Sequence, residues 1–279
     1  MRAIEVLNET LYFFKENFNQ TVTVAGEGFL IQMIMNFIVT PFAVLLVIPM
    51  MFFPLMAEAD IMGMMVILIV LYALFTLVSI TVQSLAMSIM LGGEVYALDR
   101  IKKGHRVRFG DVFRYGWRNK FPLLGVFFFN FLLFFGIVTL PLFMIFFLSA
   151  TFLPFNPLAM VLFMVVLIFL MLAIAPIQMG MIPLPFLIRN RLGTGPVESV
   201  LEAWKFYFKH FTDLYLMGLF FLMMTILVSM VPLLNIVAQV AMYPAVITSE
   251  LIYLDDVLGI QRFRPRYIDR NQMQEQMGQ

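Results

Sequence analysis

Between Phe121 and Ile188 the chain carries no Asp, Glu, Lys or Arg. As a single helix that run would reach roughly 100 Å, several times a hydrocarbon core of about 30 Å. It must therefore fold back on itself within an apolar solvent. The rest of the composition agrees, with 62% hydrophobic and 13% charged residues, where soluble domains are about a quarter charged. The expected class is all-α: a polytopic membrane protein.

Charge-free stretches mark the spans. Gly28 to Ala57 and Ile61 to Gly93 each read as one helix, parted by Glu58, Ala59 and Asp60. The long run divides at Thr151 to Pro157, whose prolines and asparagine favour a turn. Leu214 to Ser249 is uncharged and has a natural break at Pro232 to Asn235. Two helices, 214–232 and 234–254, are expected there, with one long tilted helix as the alternative.

The distribution of cations then selects the topology. With six spans, the loops on one side are 55–60, 149–157 and the turn near Asn235, and they hold no Lys or Arg. All eighteen cations fall on the other side: Arg2 and Lys15, eight within 97–121, Arg189 to Lys209, and Arg262 to Arg270. Five spans would put the C-terminal arginines on the wrong face. Six transmembrane helices in three hairpins are expected in a cytoplasmic (inner) membrane, with both termini cytoplasmic. The first twenty residues carry three glutamates and do not read as a cleavable signal peptide.

Each odd-numbered span follows a segment that mixes aromatics with Lys or Arg: "LYFFKENF", "FRYGWRNKF" and "AWKFYFKHF". In the first, Ile4, Leu7, Leu11, Phe14 and Phe18 keep a 3-4-3-4 spacing. In the third, Pro196 suits a first helical turn. These are expected to be amphipathic interfacial helices. The even-numbered spans also match one another. Gln83, Gln178 and Gln239 each stand eleven residues before a charge: Glu94, Arg189 and Glu250. Pro183 and Pro244 follow two of the glutamines at five residues, and Asp99 and Asp255 lie five beyond their glutamates. The pattern suggests three repeat units, about 1–99, 100–194 and 195–255, within one six-helix membrane domain (1–255), followed by a polar cytoplasmic tail at 256–279.

The segments "ETLYFFKENF", "KGHRVRFGDVFRYGWRNKF" and "PLPFLIRNRLGTGPVESVLEAWKFYFKHF" resemble the YciC-type family of bacterial inner-membrane proteins. They are also similar to the membrane domain fused to some glycerophosphodiester phosphodiesterases. The resemblance covers most of 1–255 and implies six helices, but it brings no catalytic residue with it.

Eleven residues put each glutamine about 16 Å from its helix end, so Gln83, Gln178 and Gln239 could form an intramembrane polar layer. That layer would either clamp the helices or line a solute path. Small-residue stripes at Ser84, Ser88 and Gly92, and at Ala241, Ala245 and Ser249, suit close packing. Glu27, Glu94 and Glu250 are expected at the edge of the hydrocarbon, ion-paired with cations of the interfacial helices or coupled to a proton or cation. Arg100, Lys102, Lys103, Arg106, Arg108, Arg118 and Lys120 are expected to face anionic lipid headgroups. Two His, no Cys and no HExxH or GxSxG pattern leave no expected metal, cofactor or catalytic constellation.

The expected role is non-catalytic: organising or partnering with lipids or proteins at the cytoplasmic face. Self-association is open, and no nucleic-acid role is expected. The alternative is a small transporter or channel for an amphiphilic or weakly charged solute. An enzyme acting on lipid headgroups ranks third.

Overall fold

The computed structural model describes residues 2–52, 61–139, 141, 165, 170, 173–230 and 232–260. Among these, the ordered backbone is helical and contains no strand. The helices are α1 (Arg2–Glu16), α2 (Phe18–Phe52), α3 (Ile61–Lys102), α4 (Asp111–Arg118), α5 (Lys120–Phe134), α6 (Leu184–Leu192), α7 (Pro196–Lys209), α8 (Phe211–Ser229) and α9 (Pro232–Val257). A π-helical turn, Phe135–Thr139, continues α5. Residues 173–181 are also helical and lead into α6. The expected turns at Glu58–Asp60 and Thr151–Pro157, and the tail beyond Ile260, lie outside the described residues.

Among the described residues, two stretches pass as long and apolar enough to cross a membrane, Lys120–Ile137 and Phe211–Ser229. Only 17% and 22% of them is buried. A core helix of a soluble protein would hide such side chains. Here Phe128, Phe131, Leu132, Phe220, Met223 and Leu227 all point outward. α8 stops at Ser229 and α9 starts at Pro232, so two helices stand where one long tilted helix was the alternative. At about 1.5 Å per residue, α2 and α3 are roughly 50 and 60 Å long. The far part of α3, from Glu94 to Lys102, is therefore free to build the polar end of the bundle.

Short helices α1, α4 and α7 each precede a long one after a single intervening residue. All three bury one face and leave an apolar one open. In α1 the buried face is Ala3, Val6, Thr10 and Phe13. Of the expected stripe, Ile4, Leu11 and Phe18 are 63–65% exposed, while Leu7 and Phe14 are half-buried and pack against the core. In α4, Val112 and Gly116 are buried while Phe113 and Trp117 are exposed. In α7, Val200, Ala203, Trp204 and Tyr207 go in, and Val197, Leu201 and Phe208 stay out.

Glycine permits the closest approaches. A Cβ on Gly93 would collide with the Val112 carbonyl, and one on Gly116 with the Ile89 carbonyl, so α4 lies backbone-to-backbone on α3. Gly218 of α8 meets the Pro176 carbonyl in the same way. Around these contacts runs one apolar core that includes Ile89, Leu98, Leu187, Tyr207, Ile247 and Leu251.

Prolines shape the fourth long segment. The helix through 173–181 breaks at Ile182 and Pro183 and restarts as α6. Pro185 has no N–H, so the Met181 carbonyl four residues earlier loses its helical donor. The Asn130 side chain of α5 supplies it, with Nδ2 donating at 2.8 Å. The other end of the amide, Oδ1, accepts from Trp204 Nε1 at 3.1 Å. One asparagine thus ties α5, α6's approach and α7 together, and all its partners are buried polar groups that would otherwise be orphaned.

Candidate functional site

The charged ends of α3, α6 and α9 meet in a buried ion network. Arg191 of α6 spreads its guanidinium between two helices, with Nη1 2.6 Å from Asp99 of α3 and Nη2 2.7 Å from Asp255 of α9. Lys102 reaches the same Asp255 carboxylate at 2.5 Å. The side chains of Asp99, Lys102 and Arg191 are 7% exposed and that of Asp255 is 2% exposed. Lys103, still 55% exposed, pairs with Asp99 at 2.8 Å, and Asn190 donates to it at 3.2 Å. The planar fork of Arg suits a bridge between two carboxylates. Burial pulls the Lys102 ammonium below its usual lysine range, against the raising effect of Asp255. A further pair, Arg2 with Asp256 at 3.0 Å, fastens α1 to α9.

Lys102 is thereby a correction to the sequence reading. Its amine is buried against Asp255 and is not turned to headgroups, because the end of α3 is overlaid by α6 and α9. The other cations of that segment differ among themselves. Arg106, Arg108 and Arg118 are exposed. Arg100 is half-buried over the Tyr96 ring, 5.8 Å from its centroid. Lys120 lies 3.9 Å over the Trp117 ring, a cation–π distance.

Glu27 has partners other than the cations expected for it. Its carboxylate accepts the backbone N–H of Gly110 at 2.9 Å and of Phe113 at 2.7 Å. Gly110, at φ 96, is the residue before α4 and brings no side chain to cap it. A buried acid from α2 therefore supplies the negative charge and the acceptors that a helix N-terminus needs. Glu94 is buried where α3 crosses α2, in space left by Gly28, and its Oε2 has no hydrogen-bond partner among the described residues. Glu250 is buried beside Gly180 and Tyr207, and its Oε2 and the Tyr207 hydroxyl are likewise without partners. Neither glutamate forms an ion pair among the described residues, so the expected pairing with interfacial cations is not found there.

The three glutamines do not gather as a buried layer within the described chain. Gln83 and Gln178 are both exposed. The side chain of Gln239 lies outside the described residues. Of the two histidines, His105 is exposed and His210 is half-buried. The Tyr253 hydroxyl donates to Asp213 at 3.0 Å, which leaves its oxygen to accept from His210 Nδ1 at 3.2 Å. Burial, then the Lys209 charge, hold His210 below its usual range. Among the described residues no cluster of His, Asp and Glu could hold a metal.

Two features escaped the sequence reading. The Arg191 bridge could have been suspected from Asp99 and Asp255 standing at matching positions, since two buried acids need a shared cation. The Asn130 tie had a signal in the lone amide inside "FFFNFLLFF" and in the prolines near Met181. Compared with family models, with curated proteins and with solved structures, the chain finds no match, so its own residues carry whatever is assigned to it.

Proposed function

We propose that this chain is a six-span protein of the cytoplasmic (inner) membrane, with both termini cytoplasmic, that holds lipids or partner proteins at that face without catalysing a reaction. The units 1–99, 100–194 and 195–255 would each contribute an interfacial helix and a hairpin. The likeness to the YciC-type family belongs to the same proposal. It is supported by the outward apolar surfaces of α5 and α8 and by the one-sided cations.

The observation that carries the lipid role is the seating of α4. Its glycine face is pressed on α3 and its N-terminus is held by Glu27. The other side presents Phe109, Phe113, Trp117 and Phe121, all exposed and four residues apart. Arg106, Arg108, Arg114 and Arg118 flank them and are exposed too. Aromatic rings beside arginines are the chemistry of a membrane interface. Fixing them on a rigid base removes the ordering cost of binding.

Reconstitution into nanodiscs of mixed anionic and zwitterionic lipid, followed by native mass spectrometry of retained lipid, tests this. Wild-type protein should retain anionic lipid preferentially. The quadruple variant Arg106→Gln, Arg108→Gln, Arg114→Gln, Arg118→Gln should lose most of that preference, at about 1 kcal/mol per cation. Indifference of the wild type to lipid charge would remove the role.

The transporter alternative draws on Glu94 and Glu250, whose free buried oxygens resemble coupling sites. Ion or proton flux in proteoliposomes that disappears in Glu94→Gln and Glu250→Gln would promote it over the first reading.

A further inference from the structure

The second unit breaks the charge pattern of the other two: where they bury Glu94 and Glu250, it has Arg189. Arg189 is half-buried and lines an open-sided cavity of about 210 Å³ between α3, α4, α5 and α6. That is room for far more than a single water. Arg189 forms no ion pair among the described residues. Its Nη1 donates to the Thr194 carbonyl at 2.8 Å, which fixes the side chain and leaves the remaining guanidinium donors available.

The facing wall carries Tyr115. Its ring is stacked on Tyr96 with centroids 3.9 Å apart and planes within 3°. No hydrogen bond engages the phenol hydroxyl among the described residues. Tyr115 lies within electrostatic reach of both Arg189 and Asp99. No acidic side chain lines the cavity. Asp99 does not line it but accepts from Asn190, which does, and Arg191 and Lys103 already pair with that carboxylate. The rest of the wall is Asn190, the bare backbone of Gly92 and Gly193, and the apolar side chains of Val95, Leu123 and Phe186. Leu123 can sit so close because Gly92 has no side chain to oppose it.

We propose that this cavity binds a phosphate group, with the Arg189 guanidinium and the Tyr115 hydroxyl as donors and Leu123 and Phe186 against an attached hydrocarbon. A guanidinium fork and a neutral phenol match phosphate oxygens, and charge-assisted hydrogen bonds of this kind are the strong ones. The phosphate could arrive on an anionic phospholipid or as a free anion. The site deepens the lipid reading above, but it uses residues distinct from the exposed arginines of α4.

The test is thermal unfolding of the full-length protein in neutral detergent. The titrants are dihexanoyl phosphatidic acid, dihexanoyl phosphatidylcholine and inorganic phosphate. The acidic lipid should stabilise saturably, and the choline lipid should do so far less. Arg189→Gln should weaken the acidic lipid about tenfold or more, and Tyr115→Phe, which keeps the ring stack, by about threefold to tenfold. Stabilisation by inorganic phosphate that is lost in Arg189→Gln would assign recognition to the anion alone, and its absence would assign it to the lipid. Either result supports the site. Should Arg189→Gln not fold, Tyr115→Phe alone decides. Affinity unchanged in both variants, or equal response to the two lipids, would overturn the proposal. If the quadruple α4 variant loses the nanodisc preference while Arg189→Gln changes nothing, this site fails and the broader lipid reading stands.

Discussion

The outward legs α5 and α8 and the polar end of the bundle are built on opposite rules. The legs turn Phe and Met to the surface, and α8 also meets its neighbour through bare backbone, where Gly218 lies against Pro176. The polar end buries four charged side chains in one network and caps α4 with an acid from another helix. An apolar solvent around the legs, as proposed above, would explain the difference. Burying a side chain gains little when the alternative is lipid, so the legs depend on close packing. At the water-facing end, each buried charge needs a defined partner. Substitution should therefore be cheap on the legs and expensive at the polar end.

The largest effect should follow Arg191→Met. It leaves Asp99 and Asp255 buried without their shared cation, and removing one partner of such a network costs about 3–5 kcal/mol. Denaturant titration in mixed micelles would measure it. Adding Asp99→Asn, Asp255→Leu and Lys102→Met to that variant should recover most of the loss, because no unpaired charge remains.

Next comes Gly116→Val, which drives a side chain into the Ile89 carbonyl. Overpacking of this kind costs about 1–3 kcal/mol. Here it should lift α4 off α3, seen as faster tryptic cleavage at Arg108 and Arg114. Glu27→Gln keeps one carbonyl acceptor and loses the charge at the α4 N-terminus, for about 1 kcal/mol. Faster hydrogen exchange at the Gly110 and Phe113 amides would report it. Asn130→Leu orphans the Met181 carbonyl and the Trp204 indole, at about 1–2 kcal/mol, with a shift in Trp204 fluorescence. By contrast, Phe129→Leu or Met223→Leu on the legs should stay within about 0.5 kcal/mol. A large loss there would erase the contrast.

The smallest effect concerns pH. His210 has its folded pKa lowered by burial, so the unfolded chain takes up its proton first as pH falls. The stability it contributes is fully present above its ordinary value near 6.5 and is lost as pH drops through the lowered folded value. His210→Gln should flatten that acid limb without moving the neutral plateau.

Much of this contrast is legible in the sequence because lipid and water impose such different compositions. The helical class, a break near Pro232 (expected at Pro232 to Asn235 and found just before it) and the positions of the short helices α1, α4 and α7 follow from charge-free runs and the aromatic–cation segments before them. What stays hidden depends on who sits opposite. A lysine beside lysines and arginines reads as a headgroup contact, and only the overlay of α6 and α9 turns Lys102 inward. Glu27 looks like half of an ion pair, yet its partners are backbone N–H groups eighty and more residues away. Regular spacing placed the glutamines at one depth, but depth says nothing about which way Gln83 and Gln178 turn, and both are exposed. Of the obvious apolar stripe, Ile4, Leu11 and Phe18 face outward while Leu7 and Phe14 pack against the core, and the fully buried contacts include the less conspicuous Ala3, Val6 and Thr10.

Sidedness is the claim on which the rest depends, and the chain's lack of cysteine makes it directly measurable. Single variants His105→Cys, Thr194→Cys, Ala59→Cys and Asn156→Cys can be probed on intact cells with a membrane-impermeant maleimide. Outside labelling should reach Ala59→Cys and Asn156→Cys at once, and His105→Cys and Thr194→Cys only after lysis. Labelling of all four from the same side, or of His105→Cys from outside, would contradict a bundle whose polar end faces one compartment.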